Sequence, residues 1–253
     1  MDELLFYDIA LIGIFVVALA TAIALRFTTA PYGRFLRGGW GPTLPSTAGW
    51  VLMELPAVAT IAVCFFLGDR TSSPVAIAML AMWELHYVYR TLIFPFRRRG
   101  GRRPMPLSVV LMAVLFNVWN GYLNGRWLFG MGPERGVEWL LDPRFLIGSA
   151  LFLAGLGINF HSDNILLELR APGETGYKIP RGGLFRFVSA PNYFGELLEW
   201  TGWAIASWSV AGLSFAVFTA ANLAPRAWSN HHWYRRQFAD YPAERKALIP
   251  FVL

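Results

Sequence analysis

The chain has 253 residues, 55% of them hydrophobic and 15% charged, with a mean hydropathy of +0.42 and a formal net charge of +6. Soluble domains carry about 25% charged residues, so this balance excludes an ordinary soluble protein and reads as a polytopic membrane protein. The single cysteine, Cys64, excludes an intrachain disulfide, a zinc cluster and a CxxC redox pair.

Apolar runs long enough to cross a bilayer as helices, roughly 20 residues each, recur seven times. They cover residues 6–25, 47–67, 74–96, 107–129, 145–167, 192–210 and 211–228. The last two abut and read as a hairpin. The first run follows MDELL, which is acidic where a secretory signal needs positive charge, so it reads as a retained helix. One domain spanning 1–253 is expected, and no internal repeat or flexible linker interrupts it.

Most of the 22 Lys and Arg residues follow the first, third, fifth and seventh runs. Arg26, Arg34 and Arg37 come first, then Arg97, Arg98, Arg99, Arg102 and Arg103. Arg170, Lys178, Arg181 and Arg186 follow the fifth run, and Arg226, Arg235, Arg236, Arg245 and Lys246 close the chain. The positive-inside rule then predicts seven transmembrane helices, an external N-terminus and a cytoplasmic C-terminus. These cations also have a plainer use, in setting topology and meeting anionic lipid. Residues 169–193 are rich in Pro and Gly and predict a turn-containing loop, ordered by its aromatic and aliphatic residues.

Polar residues inside the runs are the informative exception. WELHYVYR, residues 83–90, places a glutamate, a histidine, two tyrosines and an arginine in an otherwise apolar segment. Charged groups at that depth survive where they face a cavity or a partner. At 1.5 Å per residue, Glu54 lies about 10 Å and Tyr87 about 13 Å from the cytoplasmic side. Asn117, Asn159, Asp163 and Glu196 fall within ~15 Å of it, and Asn120 and Asn124 deeper. Glu84, Tyr87 and Arg90, three apart, are expected on one helical face. Single asparagines serve mainly as interhelical hydrogen-bonding groups. The whole set at one depth predicts a pocket open to the cytoplasm.

Familiar soluble motifs are absent: no Walker sequence, HExxH or GxSxG occurs. GLGINF, from Gly155, lies within a span, so its glycines read as a close approach of helices and not as a dinucleotide fingerprint. HSD, from His161, is a weak metal signal, and no metal site is assigned. A carboxyl in its acid form and a phenol at matched depth, Glu54 and Tyr87, can both donate hydrogen bonds to a carbonyl oxygen as charge develops there. The apolar surroundings suit a lipid-like substrate. The cytoplasmic arginines suit a phosphate-bearing cofactor.

The stretch GINFHSDNILLELRAPGETGYKIPRGGLFRFVSAPNYFGELLEWTGWAIASWS closely resembles the C-terminal half of the steroid 5α-reductases, the 3-oxo-5α-steroid 4-dehydrogenases. WVLMELP around Glu54, LHYVYRT around Tyr87 and the ending HHWYRRQFADYPAERKALIPFVL fit that family too. The resemblance implies a seven-helix fold that takes NADPH from the cytoplasm and passes a hydride to the β-carbon of a conjugated 3-ketone. It implies that Glu54 and Tyr87 polarise the ketone, and that Asn159, Asp163, Arg170, Tyr177, Asn192, Glu196 and Tyr234 hold NADPH. Arg103 and Tyr32 look like further cofactor contacts, and Lys178 stands where mammalian members tend to have Arg. Residues 1–130 would then form the substrate pocket and 131–253 the NADPH-binding half. A steroid enone and the bilayer are the implied partners, with no nucleic acid and no obligate protein partner.

The sequence departs from the mammalian pattern in three places. Met53 precedes Glu54 where those enzymes place Gln, Asn230 stands in a stretch that is more His-rich there, and FRRRGGRRP is longer and more basic. The Arg, Ala and Trp richness points to a bacterial chain, in the inner membrane; a eukaryotic one would sit in the endoplasmic reticulum. Three rivals remain. GLFRF, PNYFGELLEW and DYPAERKALIPF overlap the isoprenylcysteine carboxyl methyltransferases, which use S-adenosylmethionine, although Asn192 stands where those show His-Pro. Enoyl-thioester and polyprenol reductases share the C-terminal half. A transporter or receptor would use the polar cluster for binding alone.

Overall fold

The computed structural model describes residues 2–98, 103–171, 174 and 176–253, so Arg99 and Arg102 of the basic run lie outside the described residues. The first helix, α1 (Glu3–Phe27), is started by Asp2, whose carboxylate accepts from the Leu4 amide, and carries Glu3 in its first turn and Arg26 in its last. That arrangement satisfies an orphan amide and complements the helix dipole. A short strand, β1 (Thr43–Pro45), leads into α2 (Ser46–Leu67). Ser73 caps α3 (Pro74–Val88), with Pro74 in its first turn. The axis of α3 runs on through a π-helical turn, Tyr89–Ile93, into the single turn α4 (Phe94–Arg97).

β2 (Pro104–Pro106) returns antiparallel to β1, with Leu44 opposite Met105. This two-stranded clasp, which no periodicity in the sequence announces, joins the loops ahead of α2 and α5. α5 (Leu107–Arg126) also ends in a π-helical turn, Trp127–Met131. Its last carbonyls are gathered by one side chain: Arg70 donates to the oxygens of Leu128, Gly130, Gly132 and Pro133 at 2.6–3.3 Å. α6 (Pro143–Glu168) is capped by Asp142, α7 (Pro191–Ser207) turns sharply at Trp208, and α8 (Val210–Gln237) starts from a Ser209 cap.

Among the described residues, seven long helices thus stand where the seven apolar runs lie. Four of those described are long and apolar enough to cross a membrane by length and composition: α1, α2, α5 with its π-helical extension, and α6. α3 and α7 are shorter, at 15 and 17 residues.

α6 and α7 form the closest helix pair. Gly148 and Gly155 face Gly202 and Gly195, and a Cβ at any of the four would collide with backbone of the opposite helix. The GLGINF glycine therefore serves the close approach expected of small residues in membrane helices. Trp83, Trp200 and Trp203 are fully buried and pack with Tyr87, Phe152 and Phe215. Two of the indoles have partners: that of Trp83 donates to the Ala57 carbonyl at 3.1 Å and that of Trp203 to Asn124 at 2.9 Å.

Candidate active site

Tyr87 ends the inward face of α3, and the π-helical turn that follows carries Arg90. A π turn shifts the side chains that follow it relative to an α-helical register. Tyr87, 4% exposed, and Arg90, 9% exposed, both line one cavity of about 890 Å³, and Phe94 of α4 follows them. Glu84, expected on the same face, is not on the cavity wall. Its two carboxylate oxygens are buried without a hydrogen-bond partner among the described residues.

Glu54, two turns into α2, lines the same cavity. Beside it stands Asn117 of α5, whose amide donates to the Met53 carbonyl at 2.5 Å and so ties α5 to α2. Asn120 and Asn124 play the plainer part: Asn124 donates to Asn120 at 3.0 Å and accepts from Trp203. Behind Tyr87 the rings of Trp83 and Trp200 lie 5.0 and 5.5 Å away. Its neighbour His86 shares a 2.8 Å contact with Glu199, both essentially buried. The phenol is therefore backed by a dry aromatic wall and opens toward the cavity.

A second polar row lies alongside. The Arg90 guanidinium donates to one oxygen of Asp163 at 3.1 Å, and the Asn192 amide to the other at 3.0 Å. Asn159 donates to the Asn192 carbonyl at 3.0 Å. The π turn, α6 and the start of α7 are thus locked into one network. Glu196, Arg170, Tyr177, Arg103 and Tyr32 also reach the cavity. Tyr32 lies under the Arg226 guanidinium at 4.1 Å, and burial pushes its phenol up to about 12. Arg98 stacks on Trp50 at 5.0 Å; burial, with Arg90 nearby, holds it down at about 10.

Asp163, Arg170, Tyr177, Asn192, Glu196, Arg103 and Tyr32 are therefore brought to one wall system with Glu54 and Tyr87. Asn159, Lys178 and Tyr234 are not on it. Asn159 acts on Asn192 from behind. Lys178 pairs with Glu174 at 2.6 Å. Tyr234 stacks on Tyr241 and accepts from Arg34 at 3.2 Å. His161 lies against Gly183 while Asp163 turns to Arg90, so HSD does not gather as ligands. Among the described residues no group of three or more His, Cys, Asp or Glu is placed to hold a metal ion.

Sequence reasoning did not single out Arg34, Arg98, Arg226 and Trp50, which also line the cavity. Arg34 sits among the rings of Tyr177, Trp233 and Tyr234 at 4.6–5.2 Å. One of its nitrogens and two of Arg226 are buried with no hydrogen-bond partner among the described residues. The sequence signal for them was the collective one, arginines gathered on the cytoplasmic side and interleaved with aromatic residues.

Residues 103–253 match the family model described as 3-oxo-5-alpha-steroid 4-dehydrogenase. The 3-oxo-5-alpha-steroid 4-dehydrogenase 1 of Bos taurus is 48% identical over 91% of each chain. That of Homo sapiens is 48% identical over 90% of this chain and 88% of its own length. The chain belongs to the 3-oxo-5-alpha-steroid 4-dehydrogenase family. The steroid 5-alpha-reductase DET2 of Gossypium hirsutum, 43% identical over 99% of this chain and 98% of its own, extends the likeness across both halves. The segment matched by the family model holds Asp163, Arg170, Asn192 and Glu196. Glu54 and Tyr87 precede it and fall within the stretch shared with the cotton reductase.

Proposed function

We propose that this chain reduces the Δ4 double bond of a 3-oxo-Δ4-steroid to the 5α-dihydro product, with NADPH as reductant. The observation that carries the reading is that Glu54 and Tyr87, from different helices, line one cavity with an apolar side and an arginine-rich side. Its volume lies toward the upper end of the ~300–1,000 Å³ range of small-molecule sites.

NADPH, when bound, supplies the hydride. The residues present fit it: the buried nitrogens of Arg34 and Arg226 that have no partner among the described residues are donors suited to phosphate. Arg170, Tyr177, Asn192 and Glu196 would hold the remainder. Glu54 in its acid form and Tyr87 donate to the ketone oxygen. As hydride reaches C5, the C4–C5 electron pair moves toward that oxygen, and the two donors stabilise the enolate charge. A proton added at C4 restores the ketone. Trp83 and Trp200 hold the Tyr87 ring and keep water from its back face. The Arg90–Asp163–Asn192 network fixes the wall between the two ligands.

The same reading places all seven helices across the bilayer, the N-terminus outside and the cavity open to the cytoplasm. Residues 1–130 then supply the ketone-polarising groups and 131–253 most of the cofactor site, in one multi-pass domain. The membrane is that of the host: bacterial inner membrane, or endoplasmic reticulum in a eukaryote.

The test is incubation of the purified protein in detergent with NADPH and testosterone or progesterone. The 5α-dihydro product, identified by mass and retention, is expected. Consumption of neither substrate nor NADPH would overturn the assignment.

A further inference from the structure

Three helices, α1, α5 and α8, build the apolar side of the cavity, with Leu25, Met112, Phe116 and Phe218 among its lining. Phe116 and Phe218 stack at 3.8 Å and close part of it. Two polar side chains interrupt this surface on α8: Thr219, 5% exposed, and Asn222, half-buried. Both line the cavity. Neither makes a recorded hydrogen bond to another protein group among the described residues, and Thr219 does not bond back to the carbonyl four residues earlier as helical threonines often do. An amide and a hydroxyl set in an apolar wall without protein partners leave their hydrogen-bonding capacity to a ligand.

Phe215, Thr219 and Asn222 follow one another at helical spacing on one face of α8. Phe215 packs on Trp83 at 5.5 Å and Trp200 at 4.3 Å, the rings that back Tyr87. Asn222 lies seven residues further, about 10 Å along the helix axis. That is of the order of the distance between the two ends of a fused four-ring enone.

We infer that Asn222, with Thr219, is the contact for an oxygen, hydroxyl or carbonyl, at the end of the substrate opposite its enone, a proposal that rests on the reductase reading above. The substrate class narrows accordingly. A steroid oxygenated at its far ring is preferred to one ending in hydrogen or in an alkyl chain. The Asn222 amide can donate to a carbonyl or accept from a hydroxyl, so it serves both.

The test compares testosterone and progesterone with androst-4-en-3-one, which has the same enone and no distal oxygen. In the wild-type protein the KM for the oxygenated pair should be lower by about three- to tenfold, the weight of one net hydrogen bond. In Asn222→Leu that ratio should collapse to within about twofold, and in Thr219→Val it should shrink. Equilibrium binding of radiolabelled testosterone to the same proteins in nanodiscs gives the contact without turnover. The wild-type comparison needs no variant, so a poorly folding one does not blunt it. Equal KM values for all three wild-type substrates would overturn this inference while leaving the reductase reading intact. Failure to reduce any of them would overturn the reading itself.

Discussion

Arg90, in the π-helical turn after α3, donates to Asp163 of α6 at 3.1 Å, with side chains 10% and 3% exposed. Asn192, at the start of α7, donates to the second oxygen of the same carboxylate. A buried charge left without its partner is strongly destabilising. Asp163→Ala should therefore lower stability by about 3–5 kcal/mol, read by thermal unfolding in detergent. The double replacement Arg90→Met, Asp163→Leu should recover much of that loss. An unchanged melting temperature in the single variant would show that the pair does not hold this wall together.

The α6–α7 seam predicts a contrast between two glycines two residues apart. A Cβ on Gly155 meets the backbone of Gly195 and Glu199, whereas one on Gly157 meets nothing within 4 Å. Gly155→Ala should cost about 1–3 kcal/mol by overpacking. Gly157→Ala should be neutral or slightly stabilising. Equal effects in unfolding measurements would contradict the close approach.

The helices were legible because an apolar run of spanning length admits few other forms; the first six runs match their helices to within about three residues (the third counted through α4), while α8 continues nine residues past the seventh run, to Gln237, on polar sequence that carries no apolar signal. Glu54 and Tyr87 were legible for the converse reason, being polar groups in apolar runs. Arg34, Arg98 and Arg226 were not, because a cation after a membrane span is already accounted for by topology. Glu84 misled, because simple three-residue spacing does not tell which neighbours on a helix face the cavity. The clasp between β1 and β2 was hidden because three-residue strands carry too few positions for an alternating pattern.

Tyr32 lies outside the spanning segments, and burial raises its phenol to about 12 from an ordinary 10. The native protein thus holds a proton that the unfolded chain releases. The stability tied to that proton is complete below pH 10 and is lost as pH rises through about 12. Tyr32→Phe should therefore flatten the alkaline limb of stability against pH. An identical limb in the variant would place the titrating group elsewhere.

Arg226 and Lys178 should separate in NADPH affinity. Arg226 lines the cavity with two nitrogens that have no partner among the described residues, while Lys178 lies off it and is occupied by Glu174. A hydrogen bond to a charged group is worth about 1.5–3 kcal/mol, so Arg226→Ala should weaken binding at least tenfold by that measure. Lys178→Ala should stay within about threefold, as exposed pairs contribute little. Fluorescence titration of NADPH without steroid reads both, and a larger effect at Lys178 would reverse the assignment.

The most direct measurement is the single-turnover rate of NADPH oxidation by saturating testosterone in Tyr87→Phe, beside its NADPH dissociation constant. The account predicts a rate lower by about 10²–10³, the usual weight of one donor to a developing oxyanion, with cofactor affinity unchanged. A variant that turns over at the wild-type rate would contradict it.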